Sequence, residues 1–285
     1  MRKSTVLVAA LALSASAAFA QVTNKNGVVV TPEAGDWAIG FDAAPFLNYF
    51  GNMANGATNA PFSANFINGT DQMIMGKYYA SETMAYRGLL RIGFGSTTMG
   101  NYVVKDGTTA TPPEMVTDEM KSSYNFIGLG AGVEMRRGKT RLQGYYGGQF
   151  MFMIGGSKDT YTYGNAFGTT NTTPTTTVNF LTGTTAPVSS RTLEAKAGSM
   201  FGLGLRGFIG AEYFILPKLS IGAEYGWGLA LSSTGEGSVS TESWNGTGTV
   251  TTETKTAKSS SFGIDTDNNP LGRGSSGSII INLHF

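Results

Sequence analysis

The chain has 285 residues, with 20 Lys and Arg, 19 Asp and Glu, one His and a formal net charge of +1. A balance this close to neutral argues against nucleic acid or an anionic surface as the main partner. Cysteine is absent, so disulfides, thiolate chemistry and Cys-ligated metals are excluded.

Residues 1–20 read as a cleaved secretory signal peptide. Arg2 and Lys3 supply its positive region and Val6 to Leu13 its apolar core. Ala18-Phe19-Ala20 is a small-x-small cleavage site before Gln21. The apolar run is too short to span a bilayer, and no cysteine follows it to carry lipid. Removing it takes away two basic groups and moves the net charge to −1. No later segment reaches the ~18 apolar residues of a membrane-spanning helix, so a helical membrane protein is excluded.

Residues 21–35 form an N-terminal lead-in, and regular alternation of apolar and small or polar residues starts after it. Successive side chains of a strand point to opposite faces. On that basis Trp37, Ile39, Phe41 and Ala43 oppose Ala38, Gly40 and Asp42 in a first strand, Trp37–Ala44. A polar stretch, 48–72, leads to a second strand over Met73–Ala80, with Ile74, Gly76 and Tyr78 against Met75, Lys77 and Tyr79. After a short connection at 81–84, Tyr86, Leu90, Ile92 and Phe94 oppose Arg87, Leu89, Arg91 and Gly93. Residues 96–122 are again polar. Ile127, Leu129, Ala131, Val133 and Met135 then oppose Gly128, Gly130, Gly132 and Glu134.

A basic turn, Arg136-Arg-Gly-Lys139, precedes the fifth strand, where Leu142, Tyr146, Phe150, Phe152 and Ile154 oppose Gln143, Tyr145, Gly147, Gln149 and Met151. Residues 156–199 hold thirteen Thr and too little apolar surface for a core of their own. The sixth strand sets Phe201, Leu203, Leu205, Ile209, Ala211 and Tyr213 against Gly202, Gly204, Arg206, Phe208, Gly210 and Glu212. A turn over Ile215–Lys218 leads to the seventh, in which Leu219, Ile221, Ala223, Tyr225, Trp227, Leu229 and Leu231 oppose Ser220, Gly222, Glu224, Gly226, Gly228, Ala230 and Ser232. A last polar stretch, 233–275, precedes Ser278–Phe285, where Ile279, Ile281, Leu283 and Phe285 share one face.

Eight strands result, joined alternately by long and short connections. One face carries large aliphatic and aromatic side chains without a charge. The other carries Gly, Ala and Ser with a few charges, which suits the concave side of a narrow barrel rather than the wet face of a sandwich. Eight charges fall on that inner face: Asp42, Lys77, Arg87, Arg91, Glu134, Arg206, Glu212 and Glu224. Isolated buried charges cost several kcal/mol each, so four of either sign are expected to pair. Arg91, Arg206 and Glu224 lie deep in their strands. Arg87, Glu134 and Glu212 lie near short turns, where a water-exposed rim position serves equally well.

Catalytic chemistry finds no support. Gly202-Leu-Gly-Leu-Arg-Gly207 matches G-x-G-x-x-G, but it lies inside a strand pattern and opens no helix, which the nucleotide fingerprint requires. His284 is the only histidine and has no obvious partner, so neither a zinc site nor a Ser/His/acid triad is supported. No catalytic, cofactor or metal residue is expected, and the chain is not read as an enzyme.

In signal peptide, even strand number, loop alternation and terminal Phe285, residues 36–285 resemble the small eight-stranded outer-membrane barrels of Gram-negative bacteria, the OmpA/OmpX/OmpW-like group. The resemblance implies an all-β, eight-stranded antiparallel transmembrane β-barrel with short periplasmic turns and long extracellular loops. It implies a cell outer-membrane location, contact with outer-membrane lipid and lipopolysaccharide, and recognition of the Phe285 strand by the barrel-assembly machinery. The expected role is a surface-presenting scaffold whose loops bind glycan or protein ligands. A narrow porin-like channel is the alternative, favoured by the space that inward glycines leave. A soluble secreted β-sandwich is a third reading.

Overall fold

The computed structural model describes residues 29–43, 74–265 and 278–285. The expected signal peptide, the start of the lead-in and the polar stretch 48–72 lie outside the described residues. Every element among the described residues is a strand. They are β1 (Trp37–Asp42), β2 (Ile74–Ser81), β3 (Met84–Val104), β4 (Met115–Arg137), β5 (Leu142–Thr162), β6 (Thr175–Asn179) and β7 (Thr184–Pro187). The remainder are β8 (Ser190–Lys196), β9 (Met200–Leu216), β10 (Leu219–Thr234), β11 (Gly237–Trp244), β12 (Thr249–Thr256), β13 (Ser259–Asp265) and β14 (Ser278–His284).

Eight of these carry the fold, and all their pairings are antiparallel. β1 pairs with β2, β2 with β3, β3 with β4 and β4 with β5. β5 pairs with β9, β9 with β10, β10 with β14, and β14 with β1. The order of pairing returns to its start, and each strand has a neighbour on both edges. At the seam the Trp37 N–H donates to the Phe285 carbonyl and the Phe285 N–H to the Trp37 carbonyl, both at 2.9 Å.

The eight strands expected from the sequence are these eight, but their lengths differ. β3 and β4 stay in register from Met84↔Met135 to Val104↔Met115, so most of the polar stretch 96–122 is strand. Ladder hydrogen bonds are made by the backbone and need no apolar side chain once a neighbour is in place. The Thr-rich stretch 156–199 likewise holds the end of β5, a separate β6–β7 hairpin and β8, and 233–275 holds β11, β12 and β13. The chain therefore has fourteen described strands, six of them outside the eight-strand ring.

The two faces are sorted as the alternation predicts. Trp37 is 53% exposed, Phe94 64%, Ile209 65% and Trp227 51%, all on the outer face, whereas Lys77 is 1% and Glu134 and Glu212 0% exposed. Among the described residues, buried Ala38, Tyr79 and Ala85 pack as a small cluster, and Phe208, Phe214 and Tyr145 are buried as well. Short connections gather at one end of the ring. The tightest, Pro217-Lys218, puts Lys218 at φ 72, a left-handed conformation that a side chain rarely adopts. Its carbonyl accepts from the His284 N–H at 2.8 Å, which ties the turn to the closing strand.

Interior glycines are places of close approach. A Cβ on Gly147 would collide with the Val133 carbonyl oxygen and come within 2.6 Å of the Phe208 ring, whereas nothing lies within 4 Å of one on Gly88. Gly147→Ala is therefore expected to destabilise by about 1–3 kcal/mol, the usual cost of overpacking, and Gly88→Ala to stay within ~0.5 kcal/mol. Urea midpoints of the two refolded variants check this; equal midpoints would contradict the close strand packing.

Candidate functional site

The interior at the short-turn end is built from charges on five strands. Inward positions of β4 carry Glu134 and Arg136, those of β2 Lys77, of β3 Arg87, of β9 Arg206 and Glu212, and of β10 Glu224. Arg136 is the hub: Nη1 donates to Glu134 Oε1 at 2.5 Å and Nη2 to Glu212 Oε2 at 2.7 Å. Lys77 Nζ lies 3.0 Å from Glu134 Oε2 and 3.9 Å from Glu212 Oε2. Arg87 continues the chain, with Nε 3.7 Å from Glu134 and Nη2 2.9 Å from Glu224, whose other oxygen accepts from Arg206 Nη1 at 2.5 Å. Among the described residues, four cations thus share three carboxylates in one connected network.

Neutral groups complete the coordination. Gln143 Oε1 accepts from Arg136 Nε at 3.1 Å and from Nη2 at 2.9 Å. Glu212 Oε1 accepts from Asn282 at 2.6 Å and Ser220 at 2.5 Å. Aromatic faces cover the cations: Arg87 sits 4.1 Å from the Phe208 ring centre, Lys77 5.1 Å from Tyr145, and Arg136 5.3 Å from Tyr79.

Ser220, His284 and Glu212 meet here without forming a triad. Ser220 Oγ is 2.9 Å from His284 Nε2, and Glu212 Oε1 lies 3.5 Å from that same nitrogen. In a triad the acid holds Nδ1; here Nδ1 has no hydrogen-bond partner among the described residues, and the serine donates to the carboxylate itself.

Of the eight charges expected inside, the network unites Lys77, Arg87, Glu134, Arg206, Glu212 and Glu224. Rim exposure for Arg87, Glu134 and Glu212 is overturned, since they are 4%, 0% and 0% exposed. Arg91 also faces inward, four residues further along β3, with its guanidinium 4.7 Å from the Phe126 ring centre. Asp42 pairs with Ile280 through the backbone, but its side chain lies outside the described residues. Phe285 is exposed on the outer face next to Trp37.

The sequence pattern places Arg136 in a turn, whereas β4 runs on through Arg137 and brings it inside. The usable signal was parity: Arg136 is two residues beyond Glu134 and so shares its face. The sequence holds no local sign of the partners of His284, because Ser220 and Glu212 lie 64 and 72 positions away.

Further along the interior the wall turns apolar, with Leu89, Met151, Met153 and Met200 on inward positions. The glycines there do not leave open space. A Cβ on Gly130 would meet Leu89 at 2.7 Å, on Gly132 the Gln149 Cβ at 2.7 Å, and on Gly226 the Arg206 Nε at 2.5 Å. Large neighbours lean over the small residues.

The other end of the ring is built rather than loose. Buried Asp118 accepts from the Gly164 and Thr177 backbone N–H groups at 2.9 and 2.7 Å. Asn165 donates to the Val104 and Thr175 carbonyls and accepts from the Asp106 N–H. Arg191 donates to Glu242 and to the Asn165 carbonyl, both at 2.6 Å, between the Tyr163 and Phe167 rings. Burial pushes the Tyr163 phenol up to about 12, and its hydroxyl donates to the Thr192 carbonyl at 2.8 Å. At Asp106 partial burial works to raise the pKa, but the Asn171 amide, the Thr175 N–H and the Arg191 charge outweigh it and lower it.

No protein-family model matches this chain, and no curated protein does. Among solved structures, the outer membrane protein OprG from Pseudomonas aeruginosa is similar over 90% of this chain and 99% of its own, at 10% identity and a TM-score of 0.27. A likeness so slight carries no argument about function.

Removing one partner of a buried ion pair costs about 3–5 kcal/mol, because the remaining charge is stranded. Glu212→Ala is expected to cost that much, and Arg136→Met combined with Glu212→Leu less than either single change. Denaturant midpoints of the three variants decide it; an additive double variant would mean the pair is not coupled.

Asp106 gives a pH-dependent contact at the outer end. Its folded pKa is lowered, so its contribution is complete above the ordinary carboxyl value of ~3.9 and fades as pH falls through the folded value. Below about pH 4 the Thr175 N–H and the Asn171 side-chain amide should lose protection relative to their intrinsic exchange rates, while the ring strands stay protected. Asp106→Asn should abolish that pH dependence.

Proposed function

We propose that this chain is an outer-membrane β-barrel that serves as a surface-presenting scaffold, with its short turns in the periplasm and its extended strands outside the cell. The observation that carries this reading is the inversion of the two faces: large apolar side chains lie exposed around the ring while its charges are buried and paired inside. Water would penalise that arrangement, whereas hydrocarbon favours it. The apolar run is nine residues on β4 (Ile127 to Met135) and thirteen on β10 (Leu219 to Leu231). At a rise of ~3.3 Å per residue and a tilt near 40°, these runs span roughly 23–33 Å, against an apolar band of about 25 Å. Lipid and lipopolysaccharide are then its surroundings, and Phe285 is the residue offered to the assembly machinery.

Within that setting the interior favours a scaffold over a channel. The ion-paired network crosses the ring at the short-turn end, and the space that inward glycines promised is taken by Leu89, Gln149 and Arg206. Eight strands enclose only enough room for side chains. The outer β-structure, pinned by Asp118, Asn165 and Arg191, is the part that meets ligands.

Refolding into lipid, followed by heat-modifiable gel migration and a planar-bilayer trace, tests both halves. The expected result is a folded species that shifts on boiling and shows no steady openings. Well-defined openings would sink the scaffold reading and favour the channel. Leu229→Arg on the outer face should cost about 2–4 kcal/mol near mid-membrane. Recovery of unmodified protein in the aqueous fraction without detergent would overturn the membrane reading and leave the secreted sandwich.

A further inference from the structure

Among the described residues, the sheet of β5, β8, β11 and β12 ends in β12, which has a neighbour on one edge. β11 and β12 pair over their whole length, from Gly237↔Thr256 to Trp244↔Thr249. Their turn is fixed by Asn245, whose Oδ1 accepts from the Thr247 N–H at 3.0 Å and the Gly248 N–H at 2.9 Å, with Gly246 at φ 100. β8 holds the other side of β11, and the Arg191–Glu242 pair clamps the two. Among the described residues β12 pairs with β11 alone, and all eight of its residues are exposed. Its sequence, Thr249-Val-Thr-Thr-Glu-Thr-Lys-Thr256, has six β-branched residues in eight, a composition that suits pleated structure.

A free edge of this kind is a template for another strand unless something guards it. Glu253 and Lys255 could be read as guards, yet opposite charges two positions apart also permit self-recognition. An antiparallel strand meets its own copy about a two-fold axis that is normal to the sheet and passes through one residue. Centred on Glu253, two carboxylates would face each other. Centred on Thr252, both charges would face threonines. Centred on Thr254, Glu253 of each copy faces the other's Lys255, and Thr252 faces Thr256. Opposite charges and Thr pairs directly across antiparallel strands are favourable, and like charges are not.

We propose that β12 is a homotypic docking edge, pairing antiparallel with β12 of a second copy in the register centred on Thr254. β8 pairs with the far end of β5, Lys158–Thr160, and β11 and β12 follow by antiparallel pairing, so these strands run along β5 and a two-fold axis normal to the sheet inverts the second copy. The partner must then sit in a facing membrane, and the contact joins two surfaces rather than two neighbours in one bilayer. This rests on the outer-membrane reading above. A contact of five residue pairs is weak alone, and many copies on each surface supply the avidity. The clamped hairpin limits the ordering cost, since the edge is already extended before the partner arrives.

The test uses the full chain refolded into zwitterionic vesicles, with insertion checked by heat-modifiable migration and clustering read by light scattering and by mixing of two fluorescent labels. Wild-type vesicles should cluster. Vesicles carrying Glu253→Lys alone, or Lys255→Glu alone, should not cluster with themselves, because each sets like charges across the two-fold. Mixed together, the two single variants should cluster, since lysines on one surface then face glutamates on the other. The double variant Glu253→Lys/Lys255→Glu should recover clustering. The 3.4 Å Lys255–Glu236 contact is exposed, with side chains 72% and 59% accessible, so its loss should leave the hairpin intact. Inserted wild-type protein that leaves vesicles dispersed overturns the proposal, as do single variants that cluster like wild type or a mixture that stays dispersed. Failure to insert overturns the membrane reading instead.

Discussion

The structure depends on Arg136 holding Glu134 and Glu212 together across the interior of the ring. An eight-stranded ring that turns most of its large aliphatic side chains outward leaves only a thin apolar interior, Tyr79, Tyr145, Phe208 and Phe214 among it, to hold its walls at a fixed spacing. Here that spacing is set by polar links between β2, β3, β4, β9 and β10, through Lys77, Arg87, Arg136, Glu134, Glu212 and Glu224. Such a network is a poor source of net stability, because desolvation offsets most of the attraction. It is a strong source of specificity, because a register slip of one residue on any strand would turn its charge to the outer face. The network therefore selects one ring among the alternatives that backbone pairing alone would tolerate.

The same logic explains the distribution of small residues. A narrow interior that admits guanidinium groups and aromatic rings must omit side chains on the facing strand. Gly226 lies under Arg206, Gly147 under Phe208, and Gly210 under Tyr145. Glycine in a strand is unfavourable in isolation, so its repeated use marks where a large neighbour crosses. Inward glycines are then complements of inward large residues, and a vacant lumen does not follow from their number.

Much of this was legible in the sequence. Alternation identified the eight ring strands and their facing, because burial on one side imposes a period of two that composition preserves. It also named six of the network's seven charged members. Arg136 was lost to a boundary error of one or two residues, since nothing local distinguishes the last paired residue from the first residue of a turn. Tyr79, Gln143, Ser220, Asn282 and His284 were visible as inward positions, but their convergence on Arg136 and Glu212 is a matter of pairing across the ring, which a single sequence does not encode locally. The outer strands were missed for a different reason. Residues 96–104 and 115–122 carry too few apolar side chains to signal burial, and they are strands because their neighbours already are.

A Thr-rich segment that merely tethered two ring strands would lose its entropy anew with each ligand, and its contacts would be weak for their area. Here the segment 156–199 is tied to the β3–β4 turn by Asp118, Asp106 and Asn165, and the sheet grows outward through β8, β11 and β12. Extending a ladder outward always moves its open edge further from the ring, and closure of the ring cannot cover it. A ring that projects sheet beyond its closed part must therefore tolerate a free edge or use it. The opposite charges at Glu253 and Lys255 bear on which: two charges of one sign would repel every copy, whereas this pair repels in one register and matches in another. Charge order along β12, rather than charge content, is what separates a guarded edge from a selective one.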